Sequence, residues 1–299
     1  MALFHDQPKW ADVPRIPQDD GPDPIVTIAY SESFTDVMDL FRGVLRLGEY
    51  SERTLDLTLD VIDENPANYT AWAFRRRALE ALGANLYDEL AYTERMAIAH
   101  PKNYQIWHHR REVCALLQDG SAEKAFSAKA LAGDAKNYHA WAHRQWALRT
   151  FNLWDGELAF VDDMLRDDVR NNSAWNQRWF VLKHTTALSA DDRERELEYA
   201  LAKAAAAVHN ESPWNYIRGL VRGHEARFAG FLKGELLALL EAHPDCVFVA
   251  ALLVDLYAKE QTSDAIAAAR QLTDKLMNET DRVRKAYWRF RKDALKVAA

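Results

Sequence analysis

Asn68-Tyr-Thr-Ala-Trp72-Ala-Phe-Arg75 returns as Asn103-Tyr-Gln-Ile-Trp107-His-His-Arg110, as Asn137-Tyr-His-Ala-Trp141-Ala-His-Arg144 and as Asn171-Asn-Ser-Ala-Trp175-Asn-Gln-Arg178. The asparagines are 35, 34 and 34 residues apart. A fifth copy, Asn210-Glu-Ser-Pro-Trp214-Asn-Tyr-Ile217, follows after 39 residues, with Arg218 one place too late. On a helix of 3.6 residues per turn the Asn, Trp and Arg positions fall within roughly 60° of one another, so they form one stripe. Upstream, Asn65-Pro66, His100-Pro101, Asp134-Ala135 and Asp168-Val169 suit an N-cap followed by Pro or a neutral residue, which predicts that each motif opens a helix there. A second helix is expected after Gly83-Ala-Asn85, Asp119-Gly-Ser121 and Ser189-Ala-Asp191, making each period a helical hairpin. Stacked hairpins bury a shared core. The expected fold is all-α, a right-handed α–α superhelix in the form of a crescent solenoid.

Working outward, Phe34, Val37, Met38, Phe41, Val44 and Leu45 line one helical stripe and Leu55, Leu59 and Ile62 another, with Gly48 as C-cap and Ser51 as N-cap between them. No sustained alternation of apolar and polar residues points to a sheet. Pro8, Pro14, Pro17, Pro22 and Pro24 crowd a segment that reads as unable to form helix or sheet. The expected organisation is a proline-rich flexible leader over residues 1–30 and a helical-repeat domain over 31–299.

The 299 residues, 48% of them hydrophobic, suffice for an ample core, and ten Trp ask for a repeated place to be buried. A formal net charge of −7 disfavours nucleic acid and anionic lipid, and the triplet Arg75-Arg-Arg77 is too little to reverse this. Two cysteines, Cys114 and Cys246, exclude a disulfide framework and a Cys-rich zinc site. No apolar run approaches the roughly 18 residues of a membrane span, and no basic-then-apolar stretch opens the chain. Membrane insertion is not expected, and a cytoplasmic setting is.

Most of the stripe reads as scaffold: Trp107, Trp141 and Trp175 pack hairpins together, and Arg110, Arg144 and Arg178 bond neighbouring carbonyls or carboxylates. The chemistry-bearing candidates lie beside it. Lys102 and Tyr104, at a helix expected to begin at Pro101, offer a cation and a hydroxyl near free N–H groups and the positive dipole end. Lys136 and Tyr138 repeat the arrangement one hairpin later, and an edge of two Lys-x-Tyr units suits a diphosphate. Lys102 and Gln105, three apart, are expected on one helix face. His139 and His143, four apart, have metal-ligand spacing but neither the adjacent Glu of a His-Glu-x-x-His helix nor a nearby acidic ligand, so no metal is assigned to this chain.

The Asn-x-x-x-Trp-x-x-Arg unit lacks the tetratricopeptide pattern and resembles the repeat of protein prenyltransferase alpha subunits. The likeness runs from about Asp36 to Ala294. It includes Asp36-Val-Met-Asp-Leu-Phe-Arg, Pro101-Lys-Asn-Tyr-Gln-Ile-Trp-His-His-Arg-Arg111, Asp134-Ala-Lys-Asn-Tyr-His-Ala-Trp141, Val169-Arg-Asn-Asn-Ser-Ala-Trp-Asn-Gln-Arg178 and Arg284-Lys-Ala-Tyr-Trp-Arg289. It is greatest to the alpha subunit shared by farnesyltransferase and geranylgeranyltransferase type I. The resemblance implies half of an enzyme, inactive alone, that embraces a beta subunit holding the zinc, with magnesium as a second candidate ion of the assembled enzyme. The implied reaction joins farnesyl or geranylgeranyl diphosphate to the Cys thiolate of proteins with a CaaX terminus.

By the same resemblance Lys102 contacts the isoprenoid diphosphate, Tyr104, Tyr138 and His139 face the active-site cleft, and Gln105 bonds the peptide's terminal carboxylate. Asn103, Asn137 and Asn171, with the Trp and Arg residues of their copies, match the structural motif. Two rival readings are a non-catalytic peptide-binding scaffold, which would not require Lys-Asn-Tyr in these places, and a Rab-specific alpha subunit, whose extra domains have no room here.

Overall fold

A computed structural model describes residues 3–296; residues 1–2 and 297–299, the outermost positions of the expected leader and repeat domain, lie outside the described residues. The described residues are all-α, with fifteen α-helices and no strand. They divide after Leu153 into two compact units.

The first unit contains α1 (Glu32–Leu47), α2 (Glu52–Glu64), α3 (Tyr69–Leu82), α4 (Leu86–Ala99), α5 (Tyr104–Leu117), α6 (Glu123–Gly133) and α7 (Tyr138–Phe151). As expected, Gly48 closes α1 in the left-handed region at φ 65°, and the Ser51 N–H meets Thr54 Oγ1 at 3.0 Å where α2 begins.

The motif helices start three residues later than the sequence suggested. Asn65, His100 and Asp134 are C-caps of the preceding helices, and Pro66 and Pro101 lie in the turns. The N-caps are the motif asparagines themselves. Asn103 Oδ1 accepts the Gln105 N–H at 2.9 Å, and Asn137 Oδ1 accepts that of His139 at 2.9 Å. An Asn side chain aimed at its own downstream N–H groups outcompetes a cap placed before a proline.

The hairpin register shifts too. Each motif helix packs most closely on the helix before it, as α2/α3, α4/α5 and α6/α7, and the motif helices α3, α5 and α7 then stack on one another. The short turn between C-cap and N-cap is therefore the hairpin turn. Each indole reaches back to that turn: Trp72 donates to the Pro66 carbonyl at 2.9 Å, Trp107 to Pro101 at 3.3 Å and Trp141 to Ala135 at 3.0 Å. These rings are buried, and each stabilises packing by about 3–5 kcal/mol.

The motif arginines are buried in carboxylate nodes. Arg75 forks onto Glu89 at 2.8 and 2.6 Å and donates to Thr58 of its own hairpin at 2.8 Å; His109 of the next hairpin donates to the same Glu89 at 2.7 Å. Arg110, Glu123 and His143 repeat this at 2.8, 2.7 and 2.5 Å, and Thr93 stands where Thr58 stood. Each node binds one hairpin to the next. Burial opposes ionisation of Glu89 and Glu123, but their hydrogen bonds to His and Arg outweigh it and hold both carboxyls at about 2. Burial keeps His109 and His143 below the usual imidazole value, hence neutral and able to donate one N–H. Removing the Arg or the Glu alone would strand a buried charge at a cost of about 3–5 kcal/mol.

The second unit contains α8 (Glu157–Asp167), α9 (Asn172–Thr185), α10 (Ala190–Ala206), α11 (Glu211–Val221), α12 (Glu225–Ala242), α13 (Val247–Glu260), α14 (Ser263–Lys275) and α15 (Lys285–Asp293). The devices recur: Asn171 and Asn210 cap their helices, and Trp175 and Trp214 donate to the Val169 and Val208 carbonyls. Arg178 forks onto Glu196 at 2.7 Å twice, and Tyr216 donates to the same Glu196 at 2.6 Å. In the fifth copy Arg218, one place late, turns instead to Asp255 of α13 at 3.1 Å. Residues 247–254, all apolar, open α13, which packs between α12 and α14. Among the described residues no helix is long and apolar enough to cross a membrane.

The first part of the expected leader is built otherwise than its composition suggested. Phe4–Asp6 and Pro8–Trp10 form single 3₁₀ turns, which proline tolerates at the first position because its missing N–H has no partner to lose. Trp10 is buried, with the Arg53 guanidinium 5.0 Å from its ring centroid, and Arg53 also forks onto Asp12 at 2.8 Å twice. Arg15 bonds Asp36 at 2.7 Å, and the Ile16 N–H bonds the Asp39 carbonyl at 3.1 Å. Residues 25–30, by contrast, are exposed and lack helix.

Two expectations follow. A Cβ at Gly43 of α1 would stand 2.1 Å from the Pro14 carbonyl oxygen, so Gly43→Ala must lift the docked segment. It should cost about 1–3 kcal/mol and expose residues 3–16 to limited proteolysis; an unchanged digestion pattern would refute the packing role. Acid should weaken the fold in two stages. His109 and His143 resist protonation in the folded state, so stability present above pH 6.5 is lost below it as the unfolded chain takes up those protons. Glu89 and Glu123 contribute stability above 4.5 that is lost as pH falls towards about 2. Urea midpoints at pH 7.5, 5.5 and 4, each value being an approximate buffer setting, should decline in order.

Candidate functional site

The turn from α4 to α5 carries the leading candidate. Its Pro101 carbonyl accepts two hydrogen bonds, from the Trp107 indole and, at 3.0 Å, from the Asn137 amide of the next hairpin. The turn is thus held by its own hairpin and by the neighbouring one. Lys102 follows immediately, its side chain 68% exposed on this fixed base.

Lys102 is not in the first helical turn, as the sequence suggested, but one residue before the N-cap. Asn103 Oδ1 accepts the N–H groups of Gln105 and Ile106, the second and third residues of α5, so those two donors are already used within the chain. Lys102 and Gln105 consequently do not share a helix face. They meet in another way, lining one open cleft of about 560 Å³ together with Pro66, His100 and Tyr104.

Tyr104 and Tyr138, the first residues of α5 and α7, are 69% and 72% exposed. The nearly buried His139 ring lies close to both: its centroid is 4.3 Å from that of Tyr104 and 5.6 Å from that of Tyr138, edge-on in each case. It stacks on Trp107 at 6.2 Å. Burial lowers the His139 pKa, and a hydrogen bond from the ring to the Lys102 backbone opposes that shift. His139, on α7, thus packs against the Tyr104 and Trp107 rings of α5.

Lys136 is exposed in the next hairpin turn, where its N–H donates to Asp134 Oδ1 at 3.0 Å. The other oxygen of Asp134 faces the Lys102 ammonium at 2.5 Å. Lys102, Tyr104, Gln105, Lys136, Tyr138 and His139 therefore all lie on the α4–α5 and α6–α7 turns or the first residues that follow. Asn103, Trp107, Arg110, Asn137 and Trp141 hold those turns and helices from behind.

Two residues of this edge escaped the sequence reading. Tyr69 fills the Tyr104 slot one hairpin earlier and is 71% exposed; the Asn-Tyr pair common to three copies was its signal. Asp134 gave no signal as a partner of Lys102, being 32 residues away in the chain.

The His139–His143 pair does not form a metal site. His143 Nε2 is bound to Glu123, and His139 is packed between aromatic rings. Among the described residues no group of three or more His, Cys, Asp or Glu side chains could hold a metal ion, and both cysteines are buried thiols. The donor set of the described residues does not fit zinc.

The model of the protein prenyltransferase alpha subunit repeat matches residues 51–82, 86–117, 121–151 and 154–185. The first two spans coincide with the α2/α3 and α4/α5 hairpins. Among curated relatives, the protein farnesyltransferase/geranylgeranyltransferase type-1 subunit alpha of Solanum lycopersicum is 40% identical, over 98% of this chain and 91% of its own length. That of Schizosaccharomyces pombe is 50% identical over 69% of this chain and 70% of its own. Among solved structures, a chain of Candida albicans protein geranylgeranyltransferase-I complexed with GGPP superposes with a TM-score of 0.86 at 30% identity, covering 96% of this chain and 98% of that one.

Proposed function

The chain belongs to the family of protein farnesyltransferase/geranylgeranyltransferase type-1 alpha subunits, and from that premise we propose that it is the alpha subunit of a heterodimeric protein prenyltransferase. The enzyme transfers a farnesyl or geranylgeranyl group from its diphosphate to the cysteine thiolate of proteins with a CaaX terminus, in the cytoplasm. The beta subunit holds zinc, for which the described residues of this chain offer no donor set. The observation that carries the reading is the exposed Lys102 on a turn clamped from two hairpins, bordered by Tyr104, Tyr138 and the Gln105 cleft.

The thiolate sulfur attacks C1 of the isoprenoid, a thioether bond forms, and the C1–O bond breaks with its electron pair going to the departing diphosphate. Negative charge grows on the bridging oxygen. A pre-placed ammonium at Lys102 stabilises that charge, and the clamped turn spares it reorganisation during the reaction. The Tyr104 and Tyr138 hydroxyls donate to the same diphosphate, and Lys136 adds positive charge one hairpin on. His139 keeps the Lys102 turn and the Tyr104 ring in place, so it acts through them. Gln105 presents its amide N–H to the peptide carboxylate on the other side of Lys102. The acidic balance of the whole chain does not oppose this, because charges beyond about 8 Å are screened at physiological salt.

Co-expression with a farnesyltransferase or geranylgeranyltransferase type I beta subunit should give a one-to-one complex by native mass measurement, active on CaaX peptides. Absence of both complex and transfer would sink the assignment. Lys102→Ala should lower turnover by about 100-fold, roughly 3 kcal/mol of transition-state stabilisation, with the heterodimer intact. Unchanged turnover would return Lys102 to the solvated surface.

A further inference from the structure

We propose that Asp134 is a positioning residue for Lys102: it holds the ammonium as a resident counter-anion, from which the substrate's diphosphate must take it over. The inference rests on the reading above that Lys102 receives the diphosphate.

Asp134 is fixed more firmly than an ordinary surface carboxylate. It is the C-cap of α6, its own N–H bonds the Ala130 carbonyl at 3.2 Å, and its carbonyl accepts the Asn137 N–H at 3.0 Å. Its Oδ1 is taken by the Lys136 N–H, which leaves Oδ2 for Lys102. The base of Lys102 is equally fixed, through the Pro101 carbonyl that Trp107 and Asn137 both bond. The flexible part of the pair is the four-carbon Lys102 stem between two fixed points.

The chemistry of the pair follows from its position. Hydrogen bonds from Lys102 and from the Lys136 backbone hold the Asp134 carboxyl below its ordinary range, which favours its charged form. Both groups are well exposed, which makes the ion pair weak and the ammonium easily transferred. With no anion bound, Asp134 limits the Lys102 ammonium to one small region beside the Tyr104–His139 rim. When a diphosphate arrives, it competes with one carboxylate for one ammonium. Binding is weakened by that competition while the placement of the cation is retained.

Asp134→Asn isolates the effect, because the amide oxygen can still accept the Lys136 N–H while the counter-charge is gone. In the assembled heterodimer, Asp134→Asn should tighten binding of geranylgeranyl diphosphate and of inorganic diphosphate by about two- to fivefold, the range of an exposed ion pair. With Lys102→Ala already present, the same change should have little effect, and the coupling should fade in 1 M salt, where screening acts within about 3 Å. A purely capping role for Asp134 would shift the melting temperature without this Lys102-dependent, salt-sensitive coupling. Unchanged or weaker binding in Asp134→Asn overturns the proposal, as does equal tightening with and without Lys102. If Lys102→Ala alone alters neither diphosphate binding nor turnover, the reading of Lys102 itself fails, which the single variant reports separately.

Discussion

Glu123 buried between Arg110 and His143 is the interaction on which the repeat depends. A carboxylate withdrawn from water is tolerable only if its oxygens are fully used, and here one oxygen takes the Arg110 Nε and the His143 Nε2 while the other takes the second arm of the Arg110 fork. The planar guanidinium accepts its partner in a narrow range of distances and rotations. Arg110 belongs to one hairpin and His143 to the next, so the node fixes both the spacing and the rotation of neighbouring hairpins. Glu89 does the same with Arg75 and His109. In the second unit the node keeps its acid and changes the donor, Gln177 to Glu157 and Tyr216 to Glu196.

Hairpins held in this way bring their turns into register, and the turns carry the exposed Lys102 and Lys136 with Tyr104 and Tyr138 directly after them. Pro101 is gripped by an indole from its own hairpin and an amide from the next, so Lys102 stands on backbone that neither hairpin can move alone. The tyrosines that open α3, α5 and α7 share one slot of the repeat for the same reason. Along the motif the Trp and Arg residues are buried and the Asn residues buried or half-buried, while the Lys and Tyr on either side of Asn103 and Asn137 face out. A rigid scaffold presenting exposed polar groups on short turns is the usual way to combine precision with access.

Much of this was legible in the residues. The recurring Asn-x-x-x-Trp-x-x-Arg announced helices, hairpins and a shared packing slot, and Lys102 with Tyr104 announced the edge. What misled was local ambiguity. His100-Pro101 and Asn103 are both good helix starts in isolation, and the choice between them moves Lys102 from a helix into a turn. A period of 34 residues is likewise the same whether a motif helix pairs with the helix before it or after it. The proline-rich beginning read as unstructured because its anchors lie elsewhere in the chain: Arg53 for Asp12 and Trp10, and Asp36 for Arg15.

The sequence by itself determined an all-α chain of repeated hairpins and the family it belongs to, because helix periodicity and motif spacing are properties of neighbours along the chain. The tertiary structure decided which helices pair, which carboxylates are buried and which anion holds Lys102. Glu89, Glu123 and Asp134 find their partners 13 to 32 residues away, through the stacking of one hairpin on the next. In the chain each resembles any solvated acid; only the assembled neighbours supply the fork, the imidazole or the ammonium that gives the charge a role.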